Sequence, residues 1–252
     1  MHIDLTDKKV LVTGSTRGIG KAIANLLRNA GATVAYHGNN NKINVENLVG
    51  DNKGNAYFFQ ADLSRPEKVI SMFDSVVKKL GGIDVLINNG GMAIESNMDQ
   101  QDEQWLLQWE NTMAVNLTAA ALLCKKAISA FKEGSGGIII NISSRAAFRG
   151  DTEDYLAYAA SKGGLVSLTK SIARAWGKDN ITAFNVAPGF VKTDMASQFF
   201  SKYGEDYGLN DLALNELTVP DDIASMVVFL ASGNAKHATG TTIDINAGSY
   251  VH

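Results

Sequence analysis

Val10-Leu11-Val12-Thr13-Gly14-Ser15-Thr16-Arg17-Gly18-Ile19-Gly20 begins as a short apolar run, turns through three glycines and leads into Ala22, Ile23, Leu26 and Leu27 at helical spacing. It reads as strand, glycine turn, helix. Glycines at such a turn let the backbone approach a pyrophosphate closely, and the N–H groups that open the helix favour its negative charge. The spacing, Gly-x3-Gly-x-Gly, is wider than the commonest dinucleotide fingerprint, and a glycine-rich turn alone also serves as a tight connection. A strand before it and an amphipathic helix after it point to nucleotide binding.

The alternation continues outward from this stretch. Strands are expected at 33–37, 55–60, 85–87, 138–142, 182–187 and 241–246, and helices at 65–79, 103–129, 155–177 and 221–231. Ile138-Ile139-Ile140-Asn141-Ile142 is too apolar to alternate, as expected of a parallel strand covered on both faces. The fold class is therefore α/β: one doubly wound domain over 1–252, with a seven-stranded parallel sheet and helices on both faces. In such a sheet the ligand site lies at the carboxyl ends of the strands. That rule brings the glycine turn, Asn88-Asn89-Gly90-Gly91, Ser144 and the helix carrying Tyr158 to one edge. The segment 190–215, with little periodicity and with Phe199, Phe200, Tyr203 and Tyr207, suits a lid over a substrate.

Composition narrows the function. The chain has 252 residues, of which 45% are hydrophobic, and 23 basic against 26 acidic residues give a net charge of −3. No basic block tracks a phosphate backbone, so nucleic acid is not an expected partner. A single cysteine, Cys124, excludes an internal disulfide and a thiolate metal cluster. The N-terminus lacks the apolar core of a signal peptide, and no uninterrupted apolar run has membrane-spanning length. A cytoplasmic protein without a membrane or metal partner is expected.

Tyr158-Ala159-Ala160-Ser161-Lys162 supplies candidate chemistry. A tyrosine and a lysine four apart project from one face of a helix. A phenol titrates near pH 10, and a fixed ammonium beside it favours the phenolate, which suits general acid/base work with Lys162 tuning Tyr158. At the other end of the site, no acid follows the strand at 33–37, where a ribose 2′-OH is normally held by one. Gly38-Asn39-Asn40-Asn41 stands there instead, and Arg17 in the glycine turn suits a 2′-phosphate, so NADP(H) is favoured over NAD(H). Asp62 is read either as an acceptor for an adenine amine or as a cap for the next helix. Asn116, inside an apolar helix, must bond neighbouring backbone or hold a water.

Taken together, Thr13-Gly14-x3-Gly18-x-Gly20, Asn88-Asn89-Gly90-Gly91, Asn116, Ser144, Tyr158-x3-Lys162 and Pro188-Gly189 resemble, in order and spacing, the classical short-chain dehydrogenase/reductases, a Rossmann-type family. The chain is also similar overall to the family's beta-ketoacyl carrier-protein reductases. The resemblance implies a catalytic tetrad of Asn116, Ser144, Tyr158 and Lys162. Ser144 would hydrogen-bond the substrate oxygen, Tyr158 would protonate it, Lys162 would lower the tyrosine pKa and hold the nicotinamide ribose, and Asn116 would support a water. Hydride passes between the nicotinamide and the carbonyl carbon of a small-molecule ketone or secondary alcohol. Implied cofactor contacts are Gly14, Ser15, Thr16, Arg17, Gly18, Ile19, Gly20, Gly38, Asn39, Asp62 and Leu63 with the adenine, Asn89, Gly90, Gly91, Tyr158, Lys162, Pro188, Gly189, Val191, and Thr193 with the carboxamide. The resemblance also implies a homotetramer in which the helices at 103–129 and 155–177 pair across a two-fold axis.

Some residues depart from the pattern. Gly90 replaces the usual alanine, with no expected effect on binding, and Asn246-Ala247-Gly248 stands where Asp-Gly-Gly is more usual. The interval from Ser144 to Tyr158 is one residue longer than common, which leaves Ser143 as a rival; Ser144 is preferred. Tyr155 has Ala159 four residues on and no lysine. Asp151, Glu153 and Asp154 either disfavour anionic substrates at the mouth of the site or form a solvated loop. Lys132-Glu133 and Gly177-Lys178-Asp179 are mixed in sign, which argues against a basic docking face for an acidic carrier protein. A nucleotide-sensing protein without turnover is the alternative of another class, against which an intact tetrad argues.

Overall fold

In the computed structural model, residues 3–39, 53–194, 196, 204 and 209–251 are described. Asn40 and Asn41, and Phe199, Phe200, Tyr203 and Tyr207 of the expected lid, lie outside them.

The seven strands are β1 (Lys9–Val12), β2 (Thr33–Gly38), β3 (Ala56–Gln60), β4 (Val85–Asn88), β5 (Gly137–Ile142), β6 (Ile181–Pro188) and β7 (Thr242–Ile245). They form one parallel sheet in the order β3-β2-β1-β4-β5-β6-β7. The order reverses between β1 and β4, which opens the crevice where such sheets bind ligands.

The helices are α1 (Gly18–Asn29), α2 (Pro66–Leu80), α3 (Asp102–Glu133), the short α4 (Ala146–Arg149), α5 (Leu156–Trp176) and α6 (Pro220–Ala231). Strand alternation sorts the core into two layers. Val10, Val12, Val34, Tyr36, Val85 and Ile87 face α1 and α6, whereas Leu11, Ala35, Leu86 and Ile139 face α2, α3 and α5. Both faces are covered, so neither side of a central strand needs a polar residue.

Observed boundaries differ from the expected ones by one to four residues. Pro66 occupies the first turn of α2, where its missing N–H costs nothing. Asn55, expected to open β3, instead ends the 3₁₀ turn Lys53–Asn55, and β3 starts at Ala56.

The larger difference is in α3, which runs on to Glu133 and is interrupted at Ala114–Thr118 by a π turn, with Ala119 N–H bonded to the carbonyl of Ala114. By length and composition α3 is apolar enough to cross a membrane, but half of its most apolar window is buried inside the protein. The helix attains that length by continuing through Asn116 and the Lys125-Lys126 pair rather than by an uninterrupted apolar run.

Candidate active site

The β1/β4 crevice is built by Thr13. Its buried hydroxyl oxygen accepts the N–H groups of Asn89 (3.0 Å) and Gly90 (2.9 Å), which draws the ends of β1 and β4 together. The Asn89 amide returns the contact by donating to the carbonyls of Thr13 (3.0 Å) and Gly14 (3.1 Å). Gly14 has φ +62°, and a Cβ on it would lie 2.7 Å from Gly90 Cα; a Cβ on Gly20 would run into Gly14 O and the Asn89 amide. Glycine is required at both places because backbone passes backbone there. Ser15 N–H bonds His37 O (2.9 Å), and Ser15 Oγ accepts the His37 N–H (2.9 Å), which fixes the turn to β2.

Helix α1 starts at Gly18 with no side-chain cap. Its opening N–H groups therefore face the crevice uncapped by protein side chains, as a pyrophosphate site requires. Arg17 is exposed at the turn, and Thr16 packs under Gly38, where a Cβ would stand 2.6 Å from Thr16 Cγ2. Asn39 is exposed, and its carbonyl accepts from the Gln60 amide (2.9 Å). These residues have the chemistry to hold a dinucleotide.

Asp62 Oδ1 accepts from both the N–H (2.9 Å) and the hydroxyl (2.7 Å) of Ser64, which holds the carboxyl below its usual range. The residue that caps α2 is Arg65, so Asp62 closes the turn before the helix. Gly90 is tighter than expected: a Cβ would come within 2.7 Å of Leu63 Cδ1.

On the other side of the crevice stand the four residues of the implied tetrad. Ser144 and Ser143 end in different places. Ser143 Oγ accepts from the Asn185 amide (2.7 Å) and donates to Val186 O (3.2 Å), so that it is engaged with β6. Ser144 Oγ accepts the N–H of Ala146 (3.1 Å), and Ser144 acts on the Tyr158 phenol by lowering its pKa.

Tyr158 and Lys162 are on α5. The Lys162 ammonium donates to Ile142 O at the end of β5 (2.9 Å) and lies 5.7 Å from the centroid of the Tyr158 ring. Gly91 faces this pair: a Cβ there would be 3.4 Å from Lys162 Nζ and 3.2 Å from Asn116 Oδ1. Asn116, in the π turn, accepts the Met92 N–H (2.9 Å) and donates to Met92 O (2.9 Å) and Ser161 Oγ (3.0 Å). Its side chain thus binds backbone across the site. Ser161, whose hydroxyl donates to Tyr158 O (2.7 Å), completes a link from Asn116 to Tyr158 that the sequence reading missed.

The electrostatics depart from the expected tuning. Burial pushes the Lys162 ammonium down to about 8. Burial also pushes the Tyr158 phenol up to about 12; Ser144 opposes that rise and the Asp151 carboxylate adds to it. The Lys162 ammonium is over the ring face of Tyr158 and bonded to Ile142 O.

Pro188 ends β6 and Gly189 follows it. Gly189 N–H bonds Ile245 O (3.1 Å), and a Cβ on Gly189 would meet Asn246 Cβ at 2.8 Å. Val191 bridges to Thr218, and Thr193 closes over the glycine turn, its Cγ2 lying 3.4 Å from where a Cβ on Gly18 would be. Tyr155 points elsewhere, to Glu95 (3.1 Å). Of the three loop carboxylates, Asp154 is buried, Glu153 is exposed and Asp151 is coupled to Arg145 and Arg149, so they form no single acidic rim.

A doubly wound sheet with a glycine crevice facing a serine, tyrosine and lysine defines a nicotinamide-dependent oxidoreductase. A family model described as "Enoyl-(Acyl carrier protein) reductase" matches residues 14–250. The chain belongs to the short-chain dehydrogenase/reductase family, whose members act on CH–OH donors with NAD(P). It is 33% identical to a 3-oxoacyl-(acyl-carrier-protein) reductase of Aquifex aeolicus, covering 99% of this chain and 100% of that one. A protein of the same name from Vibrio cholerae is 34% identical, with the same coverage. Among solved structures, a dehydrogenase/reductase from Sinorhizobium meliloti matches with a TM-score of 0.91 at 32% identity, covering 99% and 98% of the two chains. A short chain dehydrogenase from Burkholderia cenocepacia in complex with NADP matches with a TM-score of 0.89 at 31% identity, covering 97% and 98%.

Proposed function

We propose that the chain is an NADP(H)-dependent carbonyl reductase acting on a small or medium apolar ketone, or on the corresponding secondary alcohol. The observation that carries this reading is the Tyr158–Lys162 pair on α5, its lysine buried and across from Gly91, with Ser144 acting on the phenol. Ser144 would hold the substrate oxygen, and Tyr158 would give it a proton during reduction and take one during oxidation. Lys162 would replenish that proton, and Asn116 would keep the Met92 segment and α5 in register.

Gly14, Ser15, Thr16, Gly18, Ile19 and Gly20 would hold the cofactor's pyrophosphate, with Arg17, Gly38 and Asn39 at the 2′-phosphate. Asp62 and Leu63 would meet the adenine, while Asn89, Gly90, Gly91 and Lys162 would line the nicotinamide ribose. Pro188, Gly189, Val191 and Thr193 would flank the carboxamide. Bound NADPH supplies the hydride. The preference for NADP(H) rests on Arg17 and on the lack of an acid after β2, and the NADP complex of the Burkholderia relative is consistent with it.

A second reading is reduction of a 3-oxoacyl thioester on an acidic carrier protein, as the names of the Aquifex and Vibrio relatives have it. Against it, Lys132 is opposite Asp179 (4.0 Å) and Lys126 is paired with Asp74 (2.7 Å), so these lysines offer no unopposed basic face. Titration with NADPH and NADH, then assay of ketones against 3-oxoacyl thioesters under the tighter cofactor, separates the readings. Thioester turnover far above ketone turnover overturns the first, and failure to bind either cofactor overturns both.

A cytoplasmic homotetramer is part of the same proposal. Leu106 and Leu107 are exposed on α3, and Leu156 opens α5, which suits pairing of these helices with a second copy. Size-exclusion chromatography that returns a monomer removes this part.

A further inference from the structure

Ser161 lies between Tyr158 and Lys162 on α5 and is fully buried. Its hydroxyl makes two bonds of opposite sense: it donates to the carbonyl of Tyr158 (2.7 Å) and accepts from the Asn116 amide (3.0 Å). Met92 fixes that sense. Asn116 Oδ1 accepts the Met92 N–H (2.9 Å), so Nδ2 carries both amide hydrogens, one to Met92 O (2.9 Å) and one to Ser161. Both hydrogens are thereby taken.

An unbroken run of bonds leads from the backbone of Met92, through Asn116 and Ser161, to the backbone of Tyr158. Both ends of the run are at the site. Gly91, next to Met92, is so close to the lysine that a Cβ on it would be 3.4 Å from Lys162 Nζ and 3.2 Å from Asn116 Oδ1. Lys162 in turn holds Ile142 O at the end of β5 (2.9 Å). The Tyr158–Lys162 pair is thus tied to β5 by the lysine and to the segment after β4 by Ser161.

A second hydroxyl on α5 repeats the pattern away from the site. Thr169 Oγ1 donates to Leu165 O (2.8 Å) and accepts from the Asn141 amide (2.8 Å), whose oxygen accepts from Asn88 (2.8 Å). Thr169 is as buried as Ser161, but its run of bonds ends in the core, where Asn88 also donates to Cys124 Sγ (3.3 Å). The two hydroxyls are alike in local chemistry and differ in what they connect.

We propose that Ser161 is a positioning residue for the oxidoreductase reaction: by joining Asn116 to the Tyr158 carbonyl, it fixes the separation between the Gly91–Met92 backbone and the phenol that moves the proton. The proposal rests on the reading of Tyr158 as that proton donor. A small error in this separation slows the chemical step while leaving the binding of each partner intact.

The test follows a single turnover of bound NADPH with a ketone by stopped flow, in the full-length enzyme. The rate is expressed per cofactor bound, so that unfolded chains do not enter it. Ser161→Ala removes one oxygen and slows this turnover by about 10-fold, with NADPH Kd and substrate KM close to wild type. Thr169→Ala lowers the melting temperature to a similar extent but turns over at the wild-type rate. Asn116→Ala breaks the same run from its other end, so adding Ser161→Ala to that variant slows the reaction no further.

The proposal is overturned if Ser161→Ala turns over at the wild-type rate, if Thr169→Ala is slowed equally, or if the effects of Asn116→Ala and Ser161→Ala multiply. A Ser161→Ala chain that does not bind NADPH also overturns it, because the link would then hold the fold and not the rate. Tyr158→Phe distinguishes the levels: turnover retained in that variant refutes the proton-donor reading. Turnover lost there, with a wild-type rate in Ser161→Ala, refutes the role of Ser161 alone.

Discussion

Gly14 donates its backbone N–H to Nδ1 of His37 at 3.0 Å, and the opposite ring nitrogen is 3.0 Å from Ala61 O. The two contacts select one tautomer, neutral, with the proton on Nε2. A second proton on Nδ1 would face the N–H of Gly14 and push the glycine turn off β2.

Burial holds His37 below its usual titration range. Above about pH 6.5 the folded and unfolded chains both carry it neutral, and its contribution to stability is complete. As pH falls below that value the unfolded chain takes up a proton that the folded chain refuses, so stability declines until the folded pKa is passed. Lys162, at about 8, and Tyr158, at about 12, change state outside this window. The melting temperature and NADPH affinity should therefore fall together between pH 6.5 and 5. His37→Gln keeps an acceptor and a donor, and should flatten this part of both profiles.

The two serines should separate cleanly. Ser144→Ala is expected to lower kcat by about 100-fold or more with little change in melting temperature. Ser143→Ala leaves the buried Asn185 amide without its 2.7 Å acceptor and should cost about 1 kcal/mol of stability, with kcat close to wild type. Steady-state kinetics and thermal melts on both variants check this.

Gly14→Ala places a methyl group 2.7 Å from backbone at φ +62°. Strain of about 1–3 kcal/mol and loss of NADPH binding are expected, read by denaturant unfolding and fluorescence titration. Gly90→Ala meets the end of the Leu63 side chain instead, which can give way. Its cost should stay below about 1.5 kcal/mol, with cofactor still bound.

Ala247 takes φ +53°, where a non-glycine residue costs about 1–2 kcal/mol. Its carbonyl accepts the N–H groups of Ala213 (2.8 Å) and Leu214 (3.2 Å), so the turn is held in place. Ala247→Gly should raise the melting temperature by about 2–4 °C with unchanged kinetics.

The strands were legible because parallel strands covered on both faces have to be apolar throughout, as Ile138 to Ile142 are, and the glycine crevice because backbone contact excludes a Cβ. Helix spacing put Tyr158 and Lys162 on one face. Three things had no sequence signal. The π turn at Ala114–Thr118 leaves the residue types of an ordinary helix. His37 and Thr13 read as strand-end residues, and their partners come from other elements. Arg145 Nη1 donates to Asp211 Oδ2 from 66 positions away, so that no local pattern joins them. Spacing put Lys162 on the face of Tyr158 but gave neither the burial nor the direction of the ammonium.

The π turn acts as a phase shift in α3. With 3.6 residues per turn, one residue inserted into the hydrogen-bond ladder rotates the C-terminal half of the helix by about 100° relative to the N-terminal half. The half that carries exposed Leu106 and Leu107 is thereby set independently of the half that carries Leu123, Ala127 and Phe131 against the sheet. One continuous rod thus serves two surfaces that a regular helix could satisfy only one at a time, and Asn116 sits at the point where the change of phase occurs. Deleting a residue between Ala114 and Thr118 would leave the strands intact while swinging the outer half of α3, together with the stacked Trp105 and Trp109, away from the direction it now faces.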